Sequence, residues 1–198
     1  MPYYLLRYRK IDRKENMTKW RIIVKNVVYL GMKKKSSKSG TYPKATPSSL
    51  VEEAAVQYES LRVILGGQKS LKKPLSGDFD LIALTRKGIQ KSTLKSLALY
   101  LGVTMETLSQ LLHSSYRNIQ RKDDHELLDT LKTEKVLELA ALAQRGIEVI
   151  GDKASFTEWL KSPLLSLDNK TPLHFLDTSF GIQMVTKLLG RLEQGVYS

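Results

Sequence analysis

A short polar run near the middle of the chain carries the side chains best suited to read DNA. If Ser115 caps a helix in which Ile119 points into the core, the remaining side chains of that helix face outward. They include two arginines and two amides: Arg117, Asn118, Gln120 and Arg121. Arginine pairs with O6 and N7 of guanine, and Asn or Gln pairs with N6 and N7 of adenine. The run therefore predicts the second helix of a helix-turn-helix, lying in the major groove.

Basic residues surround this predicted reader helix. Residues 86–122 hold seven Lys or Arg against one Glu. Outside the reading positions, we expect phosphate contacts from Arg86, Lys87, Lys91, Lys95 and Lys122. The alternative is that these side chains form the solvated faces of ordinary helices, as runs of charge usually do.

The turn before the reader helix departs from the usual helix-turn-helix pattern at two positions. Gly is favoured where this chain has His113, because the turn needs a positive φ that Gly adopts freely. A histidine tolerates that conformation at the cost of strain. The next position usually carries Ile or Val, and Ser114 loses burial worth about 1.5–3 kcal/mol. Specific DNA binding therefore stands as a hypothesis.

The sequence contains no catalytic or metal-binding constellation. The three histidines, His113, His125 and His174, lack the spacing of metal ligands. The chain has no cysteine, which excludes disulfides and cysteine-based zinc sites. The glycine pair at 66–67 lacks the spacing of a phosphate-binding loop. We predict a protein that is not an enzyme and that binds no cofactor or metal.

The segment 170–198 shows two helix starts in close succession. Thr171 can cap a helix whose first position is Pro172, where a missing amide hydrogen costs nothing. A second helix is predicted after Asp177 or Thr178, and Gly195 can end it in a left-handed turn. Its apolar residues recur at spacings of three and four: Ile182, Val185, Leu188, Leu189 and Leu192.

This segment resembles the toxin-binding domain of the Xre/MbcA/ParS antitoxins. The resemblance is carried by Thr171-Pro172-Leu173, by Leu176-Asp177-Thr178 and by the ending Leu189-Gly190-Arg191-Leu192-Glu193-Gln194-Gly195-Val196-Tyr197-Ser198. It extends over residues 80–198 and implies a RES-domain toxin as the partner, one that consumes NAD+ or transfers from it. It also implies that the end of the antitoxin sits at the mouth of the toxin's active site.

The resemblance assigns toxin contacts to six residues of this chain: Arg191, Glu193, Gly195, Val196, Tyr197 and Ser198. We predict Trp159 as a further toxin contact. Arg191 and Glu193 would pair with charges around the mouth, and Tyr197 would fill apolar or stacking space. The alternative is that these residues hold the antitoxin's own fold, with Gly195 ending a helix and Tyr197 folding back as a cap.

The net charge of +12 is distributed unevenly. Residues 1–40 hold twelve Lys or Arg against two Asp or Glu, whereas residues 123–198 hold eight against twelve. We interpret residues 1–31 as an over-called leader, with a weak strand at 22–28 as the alternative, and residues 33–48 as a disordered linker. The apolar run at 20–31 is too short to cross a bilayer and lacks a signal cleavage site. We expect a cytoplasmic protein with no membrane partner.

From residue 49 onward the pattern is helical. Helices are predicted at 49–65, 78–87, 92–100, 105–112 and 133–151, with Thr104 as the cap of the fourth. A capping box of Ser155 and Glu158 predicts a further helix. The predicted fold class is all-α: an Xre-like helix-turn-helix domain followed by a helical toxin-binding domain.

These observations predict three regions: a basic extension and linker at 1–48, a helix-turn-helix region at 49–125 and a toxin-binding domain at 126–198. The predicted function is that of a type II antitoxin, which occludes its toxin's active site and represses its own operon by binding operator DNA as a homodimer. Two alternatives stay open. One is a stand-alone regulator whose C-terminal domain only dimerises, and the other is a nucleic-acid-coating protein driven by the basic extension.

Overall fold

The structure, a computed structural model, describes residues 47–195, with side chains from residue 55 onward. This part of the chain forms eight α helices: α1 (Pro47–Ile64), α2 (Asp78–Lys87), α3 (Thr93–Leu101), α4 (Met105–Leu111), α5 (Tyr116–Arg121), α6 (Thr130–Ile150), α7 (Lys153–Lys161) and α8 (Ser179–Glu193). Short 3-10 helices span Gly67–Lys69, Leu165–Leu167 and Pro172–Phe175. Pairing in β geometry among these residues is limited to two isolated bridges. The all-α prediction is confirmed.

The long helix α6 is the centre of the fold. It contacts α1, α2, α3, α7 and α8, and Val136, Leu139, Ala140 and Ala143 on it have no exposed surface. The buried apolar residues around it join one cluster that extends from Leu61 to Leu189. The predicted DNA reader and the predicted toxin-binding helix therefore rest on a single hydrophobic core.

Local capping signals set where the functional helices begin. Each N-cap side chain accepts a hydrogen bond from a backbone N–H three residues later, which satisfies one of the unpaired donors of the first turn. The three caps that the sequence predicted are confirmed: Thr104, Ser115 and Thr171. Of the two starts left open for the last helix, after Asp177 or after Thr178, the structure has the second, with Thr178 as the cap. Gly195 has a φ of 72°, so its predicted left-handed turn after α8 is confirmed as well.

Two predicted helix starts are wrong. The helix containing Trp159 begins at Lys153, because the Asp152 carboxylate accepts from both the backbone N–H and the hydroxyl of Ser155. The predicted box of Ser155 and Glu158 therefore lies inside α7. The long helix begins at Thr130 with Asp129 as its cap, three residues before the predicted start.

Predictions for the amino-terminal region lie largely outside the described residues. These are the leader or strand within residues 1–31 and most of the linker at 33–48. Helix α1 begins at Pro47, so it includes the last two residues of the predicted linker.

Candidate functional site

The predicted reader helix is α5, and its side chains are arranged as direct readout requires. The Ser115 hydroxyl accepts a hydrogen bond from the Asn118 backbone N–H at 3.2 Å. Ile119 is buried against the core with 1% of its surface exposed. The outward side chains are all exposed: Arg117, Asn118, Gln120 and Arg121. Leu108, Leu111 and Leu112 are buried and brace the turn from the α4 side, as predicted.

The unusual turn residue His113 has a structural partner. Its φ of 50° confirms the predicted left-handed conformation. Its imidazole Nε2 donates a hydrogen bond to the Asp177 carbonyl oxygen at 2.7 Å, in the tautomer protonated at Nε2. Asp177 immediately precedes the cap of α8. A glycine at this position would relieve the strain but would remove this connection between the turn before α5 and the start of α8.

Lys91, one of the predicted phosphate contacts, is directed into the protein. Only 9% of its surface is exposed. Its ammonium donates to the carbonyl oxygens of Gln120 at 3.4 Å and Lys122 at 2.5 Å, which are at the end of α5. It also pairs with Asp124 at 3.2 Å. Lys91 therefore stabilises the reader helix from inside, and we remove it from the phosphate-contacting set.

Two of the other predicted phosphate contacts, Lys95 and Lys122, lie at the surface beside acidic partners. Lys95 pairs with Asp124 at 2.6 Å, and Lys122 pairs with Glu126. The hydrogen bonds from Lys95 and then Lys91 hold the pKa of the Asp124 carboxyl below its usual range. Arg117 and Arg121 have no carboxylate within ion-pair distance among the described residues. Arg86 and Lys87, two further predicted phosphate contacts, are exposed and likewise have no carboxylate within ion-pair distance among the described residues.

The Thr171–Thr178 block, which carries part of the family resemblance, builds the connection into α8. Pro172 and Leu176 are buried, and Thr178 caps α8 through the Gly181 N–H. A Cβ on Gly181 would lie 1.8 Å from the Phe175 carbonyl oxygen, so the chain can fold back only with glycine there. This part of the motif is required for the fold of the chain itself.

The predicted toxin-contacting residues fall on two elements. Arg191, Glu193 and Gly195 are exposed and share the end of α8. The Glu193 carboxylate pairs with the Arg145 guanidinium on α6. Trp159 is half-buried on α7 beside Phe156, at 6.3 Å between ring centroids, and α7 packs on the Pro172–Phe175 turn. Val196, Tyr197 and Ser198 lie outside the described residues.

The outer face of α8 carries apolar side chains that the sequence reasoning missed. Phe180 is 85% exposed and Met184 is 38% exposed, four residues apart on one face of the helix. Lys187 and Arg191 continue that face and are exposed. The available signal was the spacing of Phe180 and Met184, which is out of step with the buried stripe at Ile182, Val185 and Leu189.

A recess of about 430 Å³ lies between the reader turn and the start of α8. His113, Leu131, Lys135, Asp177 and Ser179 are among the residues that line it. Burial lowers the pKa of the Lys135 ammonium, an effect that the nearby Glu138 and Asp177 oppose.

Over the described residues, no group of three His, Cys, Asp or Glu is placed to hold a metal ion. None of the described helices combines the length and apolarity that crossing a bilayer demands.

Two family profiles match this chain. Residues 80–141 match the antitoxin Xre-like helix-turn-helix domain, and residues 145–195 match the antitoxin Xre/MbcA/ParS C-terminal toxin-binding domain. Together they span more than half of the chain. The chain belongs to the Xre/MbcA/ParS antitoxin family. The resemblance carried by the terminal motif is thereby confirmed, and the protein is a type II antitoxin whose partner is a cognate toxin.

Curated relatives agree with this assignment. The chain is 27% identical over 129 residues to the Prs ADP-ribosylating antitoxin of Sphingobium sp. (strain YBL2), a match covering 60% of this chain and 81% of that protein. It is 24% identical over 127 residues to antitoxin Xre of Yersinia enterocolitica, covering 63% and 86%. A chain of the M. tuberculosis MbcT–MbcA toxin–antitoxin complex is similar at 23% identity and a TM-score of 0.42, covering 55% of this Xre-family antitoxin and 96% of that chain.

Proposed function

We propose that this antitoxin binds a RES-domain toxin that consumes NAD+, and that it neutralises the toxin by covering its active site with the end of α8 and the residues that follow. One observation carries the proposal: the outward residues of the terminal motif do not pack in the antitoxin's own core. Helix α8 buries Ile182, Val185 and Leu189, whereas Arg191 is exposed and has no carboxylate within ion-pair distance among the described residues.

In this proposal some residues of the motif fix the end of α8 on the fold, and others contact the toxin. Glu193 holds the end of α8 against α6 through Arg145, so Arg191 is the charge that meets the toxin. Gly195 turns the chain away from the helix axis with its positive φ. Tyr197 then fills apolar or stacking space near the NAD+ pocket. Trp159, on a separate element, contributes a flanking contact.

Truncation after Gly195 tests the active-site proposal. Cells that co-express the toxin and the antitoxin lacking Val196, Tyr197 and Ser198 should lose rescue, while the truncated protein keeps the melting temperature of the full chain. Replacing Arg191 by alanine should weaken rescue in the same direction. Full rescue by the truncated form would dismiss the occlusion mechanism.

We also propose that α5 reads operator DNA and represses the operon. The exposed Arg117, Asn118, Gln120 and Arg121 support base contacts, and Ser115 fixes the start of the helix. Lys95 and Lys122 would exchange their acidic partners for phosphate. The double variant Arg117→Ala, Arg121→Ala should lower operator affinity by about 1–3 kcal/mol per lost base contact while toxin rescue persists. Unchanged operator binding would rule out α5 as the reader.

A homodimer suits a two-fold operator, and the outer face of α2 supports one. Phe79 is 87% exposed and Ile82 is 46% exposed. Asp80 lies near the start of this helix and Lys87 at its end, so antiparallel pairing of two copies would bring opposite charges together. Phe79→Glu should shift sedimentation equilibrium toward monomer, whereas Leu165→Glu, at an 86% exposed site, should not. A dimer that survives Phe79→Glu would place the interface elsewhere.

The division of labour at residues 125 and 126 remains a proposal about function. Residues 49–125 would read DNA and residues 126–198 would bind toxin. The two family matches meet within residues 141–145, inside α6. Helix α6 would therefore belong to the toxin-binding part by the proposed division, while the helix-turn-helix match extends through its first half.

A further inference from the structure

Gly190, on the last helix, has no reason in the described fold to be glycine. It lies inside α8, where glycine is less stable than alanine because it loses more conformational freedom on folding. Its φ is not positive. A Cβ built on it would meet no atom within 4 Å. Alanine would therefore fit this site in the free antitoxin.

The other two glycines within described α helices are each explained by crowding. A Cβ on Gly146 would lie 2.1 Å from Cε2 of the Phe156 ring, and a Cβ on Gly181 would lie 1.8 Å from the Phe175 carbonyl oxygen. Both neighbours belong to this chain. At Gly190 no such neighbour exists among the described residues, so their packing gives no steric reason for glycine at this position.

We infer that Gly190 is a close-approach point at which a backbone segment of the toxin packs directly on α8. A glycine lets two main chains come nearer than any side chain allows, and its Cα–H can face a carbonyl oxygen. The inference rests on the proposed toxin binding. It adds Gly190 to the toxin-contacting surface at the end of α8.

The side chains around Gly190 suit contact with a main chain. Lys187 and Gln194 lie three residues before and four residues after it, so they flank it on the same face of the helix. Both are exposed, and no described carboxylate lies within ion-pair distance of Lys187. Their ammonium and amide groups can donate to carbonyl oxygens of the segment that crosses Gly190. The apolar pair Phe180 and Met184 borders the same surface.

A size series at this position tests the inference. We would measure toxin affinity by calorimetry for the wild type, Gly190→Ala and Gly190→Leu, and the melting temperature of each free antitoxin. Both variants should melt at or above the wild-type temperature. Toxin affinity should fall with side-chain size, by about tenfold or more for leucine, as expected for overpacking a close contact.

Ala55→Leu is the matched control, because it adds similar bulk at an exposed position of α1, which packs on α3 and α6 and carries none of the proposed interfaces. It should leave toxin affinity unchanged. Wild-type affinity for Gly190→Leu would overturn the inference while leaving the proposed function intact. Absence of toxin binding by the wild type would instead refute the proposed function itself.

Discussion

Replacing Gly146 by alanine should destabilise the antitoxin, although the same change stabilises most helices. Alanine in a helix interior gains about 0.5–1 kcal/mol over glycine. Here the new Cβ would lie 2.1, 2.3 and 2.9 Å from three atoms of the Phe156 ring, and that ring is fully buried. Overpacking of this kind costs about 1–3 kcal/mol. We expect a net loss of about 1 kcal/mol, or a melting temperature lower by about 2–4 °C.

Urea unfolding followed by circular dichroism would measure this loss. Gly190→Ala is the matched control, since its Cβ would meet no neighbour; it should raise the free energy of unfolding by about 0.5–1 kcal/mol. Replacing the Phe156 ring by the smaller leucine side chain should relieve part of the clash with the new Cβ. The loss of unfolding free energy in the double variant should therefore be smaller than the sum of the losses in the two single variants. If Gly146→Ala is as stable as Gly190→Ala, the packing of α7 on α6 described above is incorrect.

Three further predictions concern residues that connect elements. His113→Gly should be more stable than His113→Ala by about 1 kcal/mol, because both lose the bond to Asp177 but only glycine escapes the strain of a positive φ; thermal unfolding would show this, and the reverse order would contradict it. Lys91→Met should cost about 1–3 kcal/mol by leaving carbonyl oxygens at the end of α5 unpaired, whereas the exposed Lys95→Met should cost less than about 1 kcal/mol; equal losses in urea unfolding would argue against the internal role of Lys91. Hydrogen bonds from Ser155 lower the pKa of Asp152 below its ordinary value of 3.8, so the capping carboxylate stabilises the fold above that pH and this contribution disappears as the pH falls through the lower folded-state pKa. Asp152→Asn should flatten that acid limb in a plot of unfolding free energy against pH, and an unchanged limb would show that the cap does not titrate.

The helix starts could be predicted from sequence where the capping signal is local and unambiguous. Thr104 and Ser115 were each predicted as N-caps, and each caps the helix that follows. The start of α7 was ambiguous, because Asp152 and Ser155 are both good N-caps and only the folded geometry selects between them. The carboxylate of Asp152 reaches two donors of Ser155 at once, which decides the competition.

Contacts between distant parts of the chain could not be predicted. Lys91 is a lysine in a basic segment and was therefore predicted to contact phosphate. The carbonyl oxygens that bind it instead lie 29 and 31 residues away in sequence. The bond between His113 and Asp177 spans 64 residues. Periodicity identified the buried face of α8, and the spacing of Phe180 and Met184 placed both side chains off that face, but it could not show whether another part of the chain covers them. Sequence patterns thus located the candidate surfaces, and tertiary contacts determined which side chains remain available on them.

The shared position of α6 has a consequence for genetics. The two family domains meet within this one helix. Under the proposed function, an amino-acid change in its buried face should therefore impair toxin neutralisation and operon repression in the same mutant. Changes on the outer faces of α5 or α8 should instead separate the two phenotypes. A mutant library scored for both traits would therefore map the common core by the positions at which they are co-inherited.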